Sequence, residues 1–178
     1  MKIALAILLG GLAAGALDIL YAFAAYGPLS YGVTPEQVLQ SVAAGWIGRE
    51  ASRAGGMETA LLGLGTHFLL ATIMAAIYVL LATRIAALTR AALLLGLLYG
   101  FILYVAMNYV VVPLSAAATG HFATASEIGS RLQDSFSEVR GGGGDDYPWM
   151  LAGTVFTHVA LVGAPIALIA KRFLHQQT

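Results

Sequence analysis

The chain has 178 residues, 59% of them hydrophobic and 10% charged, and its mean hydropathy is +0.82. Soluble domains average roughly 45–50% apolar and roughly 25% charged residues, so an ordinary soluble domain is excluded and a polytopic membrane protein remains. Nine basic residues offset nine acidic ones and there is no cysteine, so no basic excess draws a nucleic-acid partner, and disulfides and thiolate metal sites are ruled out.

This length holds about four spans of ~20 residues plus loops, hence a single membrane domain over 1–178. The first apolar run covers 3–26 behind Lys2. It continues through Ile19 to Ala25, long enough to span, and reads as a retained helix rather than a cleaved signal peptide. Gly11 and Gly15 have the GxxxG spacing that lets membrane helices approach closely, and Asp18 lies on the same face. The loop 27–56 breaks the pattern at Gly27, Pro28, Gly32 and Pro35. Thr34-Pro35-Glu36-Gln37 has the form of a helix start, with a hydroxyl cap, proline at the first position and Gln37 completing a capping box. Val38, Leu39, Val42 and Trp46 follow at helical spacing, so one short amphipathic helix is expected, ended by Gly55-Gly56 and lying on the membrane surface or over the spans.

The second span is 57–83, with Gly63, His67, Ala71 and Ala75 on one i+4 stripe. The connection 84–90 is too short for anything but an antiparallel return. In the third span, 91–112, Gly96, Gly100, Tyr104 and Asn108 stack on one face, amid Leu97, Leu98, Phe101, Ile102 and Val105. Pro113 is expected to stop it. The loop 113–148 is small and polar; Ile128, Leu132, Phe136 and Val139 hint at a second amphipathic helix, and Gly141 to Gly144 read as flexible linker. The fourth span, 149–170, has Asp145 and Asp146 before its start and Lys171 and Arg172 after its end, both favourable to the helix dipole. Pro165 is expected to kink it.

With four spans the N-terminus, the 84–90 loop and the C-terminus share a side, which carries Lys2, Arg84, Arg90, Lys171 and Arg172 and no acidic residue. The two long loops carry the acidic excess. Basic residues near span ends favour the cytoplasm, so both termini are expected inside, with the long loops facing out. Tyr26, Tyr31, Trp46, Tyr147 and Trp149 then fall near the outer boundary as an aromatic belt.

Each span brings one strongly polar or ionisable residue: Asp18, His67, Asn108 and His158. Asp18, His67 and His158, with Tyr104, lie at a similar depth, about 13 Å from the outer helix ends at ~1.5 Å per residue. An ionised residue at the centre of a span costs ~2.5–3.5 kcal/mol or more on insertion scales, so this polar layer should face inward and pair. Its plainest role is interhelical hydrogen bonding. The chemical alternatives are haem held by His67 and His158, a divalent metal held by the same two histidines with Asp18, or with Asp18 orienting His67 through its ring N–H, none of them favoured, and a proton relay through Asp18 and a histidine. His121 and His175 fall in loop and tail, where solvation explains them.

The segments GGLAAGALD at 10–18, VLQSVAAGWIG at 38–48, GTHF at 65–68 and YGFILYVAMNYVVVPLS at 99–115 together resemble a group of small uncharacterised bacterial inner-membrane proteins with four helices, distantly similar to the YagU-like family. The resemblance covers most of the chain apart from 116–147. It implies a bacterial plasma-membrane location and brings no activity with it.

The expected architecture is therefore an all-α integral membrane protein, a four-helix bundle with one or two short amphipathic helices in its outer loops. The expected role is that of a non-enzymatic accessory or interaction subunit in contact with the lipid bilayer, as a homo-oligomer or within a larger membrane complex. A haem- or metal-binding protein using His67 and His158 is the alternative, and a proton-linked small-solute transporter the third. No nucleophile motif and no paired intramembrane carboxylates argue for an enzyme, and no internal repeat of the kind many transporters carry is visible.

Overall fold

Runs of Leu, Ala, Ile and Val without a proline for 20 residues or more leave the backbone one way to satisfy its hydrogen bonds in lipid, which is helix. The computed structural model describes residues 1–141 and 146–174; the glycine run 142–144, Asp145 and His175 lie outside the described residues. In chain order the elements are α1 (Lys2–Tyr26), α2 (Pro35–Ile47), α3 (Arg49–Ala54), α4 (Gly56–Ala82), α5 (Ala87–Arg90) and α6 (Ala92–Ala106), then a π-helical turn at Met107–Val111. They continue as α7 (Val112–Leu114), α8 (Ala116–Thr119), α9 (Ile128–Ser137), α10 (Trp149–Phe156), a second π-helical segment at Thr157–Gly163, and α11 (Ala164–Leu174). Four stretches are long and apolar enough to cross a bilayer: Lys2–Tyr26, Gly56–Ala82, Ala92–Leu114 and Trp149–Leu174. The fold is all-α, with no strand among the described residues.

The third span does not stop at Pro113 but runs on to Leu114, and each proline sits two residues beyond a π-helical stretch, Met107–Val111 before Pro113 and Thr157–Gly163 before Pro165. A proline ring collides with the carbonyl four residues back, here those of Tyr109 and Leu161, and offers it no N–H. Both carbonyls lie inside the π-helical stretches, where the wider turn carries them off the ring. The Tyr109 carbonyl then accepts from the hydroxyl of the fully buried Ser135 at 2.7 Å. Ser135→Ala should therefore destabilise the protein by about 1–3 kcal/mol, the cost of an orphaned buried acceptor. Thermal unfolding in detergent reads the loss, and adding Pro113→Ala, which restores an N–H there, should recover most of it.

The chain forms two compact units. The first comprises residues 1–21, 67–104 and the chain from 155 onward. Its core is built of small residues, with Ala6, Ala14, Ala75, Ala82, Ala92, Ala167 and Ala170 packed around Tyr78, Val79 and Ile166. Its large side chains point the other way: Leu8, Leu12, Leu20, Leu94 and Leu98 are all more than half exposed. Small inside and large outside suits a solvent as apolar as leucine, in which backbones associate by close approach rather than by expelling water. The glycines take that approach to its limit. A Cβ at Gly100 would stand 2.3 Å from the His158 carbonyl oxygen, one at Gly163 2.2 Å from that of Gly96, and one at Gly11 2.7 Å from the Thr72 Cα.

The second unit comprises residues 22–66 and 105–154. Thr34 caps α2, its hydroxyl accepting from the Gln37 N–H at 3.3 Å while the Gln37 side chain accepts from the Thr34 N–H at 3.0 Å. Residues 35–54 form two helices rather than the single one expected, because Gly48 takes φ +81°, a conformation that breaks the helix and that only glycine adopts freely. The buried face of α2, Val38, Gln40, Ala43 and Ala44, packs onto α4, where a Cβ at Gly63 would lie 1.9 Å from the Leu39 carbonyl oxygen. Buried Gln40 donates to the Gly56 carbonyl at 3.0 Å, and Ser52 donates to the Gln40 carbonyl at 2.6 Å.

Before α9, the Glu127 carboxylate folds back onto Thr124, three residues earlier, and accepts from both its N–H and its hydroxyl. The Thr124 N–H at 2.9 Å, His121 Nε2 at 3.2 Å and the Thr124 hydroxyl at 3.0 Å, with Arg131 at 3.1 Å, hold the Glu127 carboxyl down at about 2 from an ordinary 4.5. A depressed folded-state value means that its stabilisation is present above pH 4.5 and is lost as the pH falls through about 2. Amide protection factors in residues 120–131, taken relative to intrinsic exchange at each pH, should fall over that window in the wild type and show no such acid step in Glu127→Gln.

Candidate functional site

Within the first unit, three spans meet at Asp18. Close contact between α1 and α4 at Gly15 comes first: a Cβ there would be 2.8 Å from the Phe68 ring, and the tight crossing brings His67 Nε2 to 2.8 Å from the Gly15 carbonyl oxygen. A carbonyl only accepts, so Nε2 carries a hydrogen and donates it. His67 Nδ1 then faces Asp18 Oδ2 at 4.0 Å, while the Thr157 hydroxyl, at the first residue of the fourth span's π-helical segment, donates to Asp18 Oδ1 at 3.0 Å.

This arrangement has a chemical consequence. With Nε2 committed as a donor, an unprotonated Nδ1 would turn a lone pair toward a carboxylate, and both would be electron-rich in a poorly polarisable surrounding. The 4.0 Å spacing exceeds a direct hydrogen bond. The His67 side chain is 12% exposed and that of Asp18 26%, which leaves the carboxylate unsealed.

The remaining members of the expected polar layer are distributed differently. Tyr104 and His158 lie in the same unit and meet each other edge to face, with ring centroids 5.9 Å apart. Tyr104 is buried, and the Phe101 ring lies 6.1 Å from it, centroid to centroid. Asn108 belongs to the second unit, inside the π-helical turn at Met107–Val111. Among the described residues, no three or more histidine, aspartate or glutamate side chains form a group that could hold a metal ion. Thr154, weighed with Thr157 as company for His158, instead donates to the Gly141 carbonyl at 2.8 Å. Thr157 is the participant that the sequence reading assigned elsewhere; it lies 139 residues from Asp18, and no local spacing can announce such a pairing.

All five glycines singled out in the sequence lie on the described helices. Gly11 approaches Thr72, Gly15 approaches Phe68, Gly63 approaches Leu39, Gly96 approaches Ala167 and Gly163, and Gly100 approaches His158 and Val159. Two further bonds from side chain to backbone tie the core of the first unit, Tyr99 Oη to the Met74 carbonyl at 2.8 Å and Tyr78 Oη to the Leu88 carbonyl at 2.9 Å.

Four apolar spans, a core of small residues and an outward coat of leucine define a multi-pass α-helical membrane protein. No protein-family model matches the chain, and no curated protein or solved structure does either.

Proposed function

We propose that this is a multi-pass protein of the bacterial plasma membrane that binds and releases a proton at the Asp18–His67 pair, in a proton-linked passage of protons or a small solute. The observation that carries the reading is the carboxylate held between a histidine nitrogen and the Thr157 hydroxyl within the spans. Ionisable groups there are costly to keep and are the usual carriers of proton relays.

The competing roles draw less support. Ligation of haem or a metal through His67 Nε2 would sacrifice its bond to the Gly15 carbonyl, whereas proton exchange on the Nδ1 side leaves that bond in place. An accessory subunit would use small-residue faces to engage partner helices, and Gly11, Gly15, Gly63, Gly96 and Gly100 are already occupied within the chain. A solute larger than a proton needs more wall than four helices provide, so solute passage goes with a homo-oligomer.

The charge distribution supports cytoplasmic termini. The first unit holds Lys2, Arg84, Arg90, Lys171 and Arg172 with Asp18 its sole acidic residue, and the second holds the other eight acidic residues with four arginines. The location in a bacterial plasma membrane rests on the sequence resemblance.

The test is proton uptake into liposomes carrying an enclosed pH-sensitive dye, driven by an imposed pH difference. Uptake above empty liposomes that falls at least tenfold in His67→Gln supports the reading. Uptake equal to that of empty liposomes, at matched protein density and under imposed potentials of both signs, sinks it.

A further inference from the structure

A second site lies in the other unit, where a cavity of about 410 Å³ is lined by Ile47, Gly48, Arg49, Glu50, Ala51, Ala54 and Gly120. Two glycine backbones form its floor. Gly48 and Gly120 both take positive φ, +81° and +89°, and a Cβ on Gly48 would stand 3.0 Å from the Gly120 Cα.

The cavity's two charged side chains, Arg49 and Glu50, are exposed and form no ion pair with each other. Arg49 Nε donates to the Ala117 carbonyl at 2.9 Å, which fixes the guanidinium and leaves its two terminal nitrogens free to donate. Glu50, next in the chain and lining the same cavity, has no hydrogen-bond or ion-pair partner among the described residues. A cation and an anion side by side that do not neutralise each other suit a ligand that carries both signs.

The setting says which one. Helix α3 ends at Ala54, two residues before the second span starts at Gly56, so the cavity lies where a span meets the water. Beside it, Ile47 is 40% exposed, and Trp46 and Phe122, each 51% exposed, pack edge to face at 6.0 Å. The Trp46 Nε1–H is satisfied by the Thr66 hydroxyl at 2.9 Å, so its outward surface is apolar ring. An apolar aromatic ledge next to two opposite, unpaired charges matches a molecule with a dipolar head and a hydrocarbon body.

We propose that this cavity binds the head group of a zwitterionic aminophospholipid, its phosphate on the Arg49 terminal nitrogens and its ammonium on Glu50, with an acyl chain along Trp46, Ile47 and Phe122. The shared chemistry, a phosphate joined to an amine, is also that of free phosphoethanolamine, and the experiment separates the two.

The full chain is purified in detergent, stripped of lipid, and titrated by native mass spectrometry with phosphatidylethanolamine, with phosphatidylglycerol, and with phosphoethanolamine as competitor. The wild type is expected to retain phosphatidylethanolamine at least fivefold better than phosphatidylglycerol, and phosphoethanolamine at equal concentration should not displace it. Arg49→Gln should lose retention of both lipids about tenfold, while Glu50→Gln should lose the preference between them. Arg53→Gln, which changes a neighbouring charge outside the cavity lining, should behave as wild type, and unchanged unfolding temperatures confirm that the variants fold. Equal retention in wild type, Arg49→Gln and Glu50→Gln overturns the site; a wild-type preference for phosphatidylglycerol overturns the role of Glu50; displacement by phosphoethanolamine overturns a lipid as the occupant.

Discussion

Gly100→Val should be the most damaging single substitution in the third span, lowering stability by about 3 kcal/mol or more, the upper end of overpacking costs. A Cβ at this position would lie 2.3 Å from the His158 carbonyl oxygen, 2.7 Å from the Val159 Cα and 2.9 Å from the His158 carbonyl carbon. Every one of these is backbone, so no rotamer change relieves the clash, and the two helices must part. Parting them also draws Gly96 and Gly163 out of contact, since they belong to the same crossing. The control is Gly65→Val, in α4, where nothing lies within 4 Å of the added carbon. It should cost less than about 1 kcal/mol, valine and glycine differing little in helix propensity. Thermal or denaturant unfolding in one detergent decides the comparison; equal losses for the two variants would mean that the crossing at Gly100 is loose.

The other large effect should be functional rather than structural. Asp18→Asn keeps an oxygen to accept the Thr157 hydroxyl bond, found at 3.0 Å in the wild type. It removes the charge 4.0 Å from His67 Nδ1 and with it the carboxyl that can hold a proton. Interhelical polar bonds in membranes average about 0.6 kcal/mol and reach about 1.7 at most, so unfolding should shift only slightly. Proton uptake in liposomes should nevertheless fall at least tenfold, toward that of empty vesicles. Thr157→Val supplies the complementary case: it removes a hydrogen bond to the carboxylate but not the carboxylate itself, so it should weaken uptake rather than abolish it. If Asp18→Asn lowers stability by several kcal/mol and leaves uptake intact, the residue is a structural tie and has no part in proton movement.

The composition and the apolar runs were sufficient to read the fold class, because lipid allows a 20-residue uninterrupted apolar segment to be little besides a helix. The start of α2 was equally readable, since Thr34, Pro35 and Gln37 act within one turn of one another. What local pattern could not supply was long-range geometry. The break at Gly48 depends on a glycine conformation rather than a residue type, and the continuation of the third span through Pro113 depends on a hydroxyl 26 residues away that takes the Tyr109 carbonyl. The candidate site was half legible: Asp18 and His67 stand out as ionisable groups in apolar helices. The role of Thr157 depends on how the fourth span is rotated, which its evenly apolar sequence scarcely marks.

That rotation has a physical origin in the π-helical segment at Thr157–Gly163. A π turn is equivalent to one residue inserted into an α-helix, which advances everything beyond it by about 100°. The fourth span is therefore two helices in different phase written as one. Thr157 takes its heading from the stretch before the offset and meets Asp18; Ala167 takes its heading from the stretch after it and meets Gly96. A helical wheel drawn at constant pitch superposes headings that the folded chain keeps apart. Removing a single residue such as Leu161 would restore the constant pitch and turn one end of the span away from its partners.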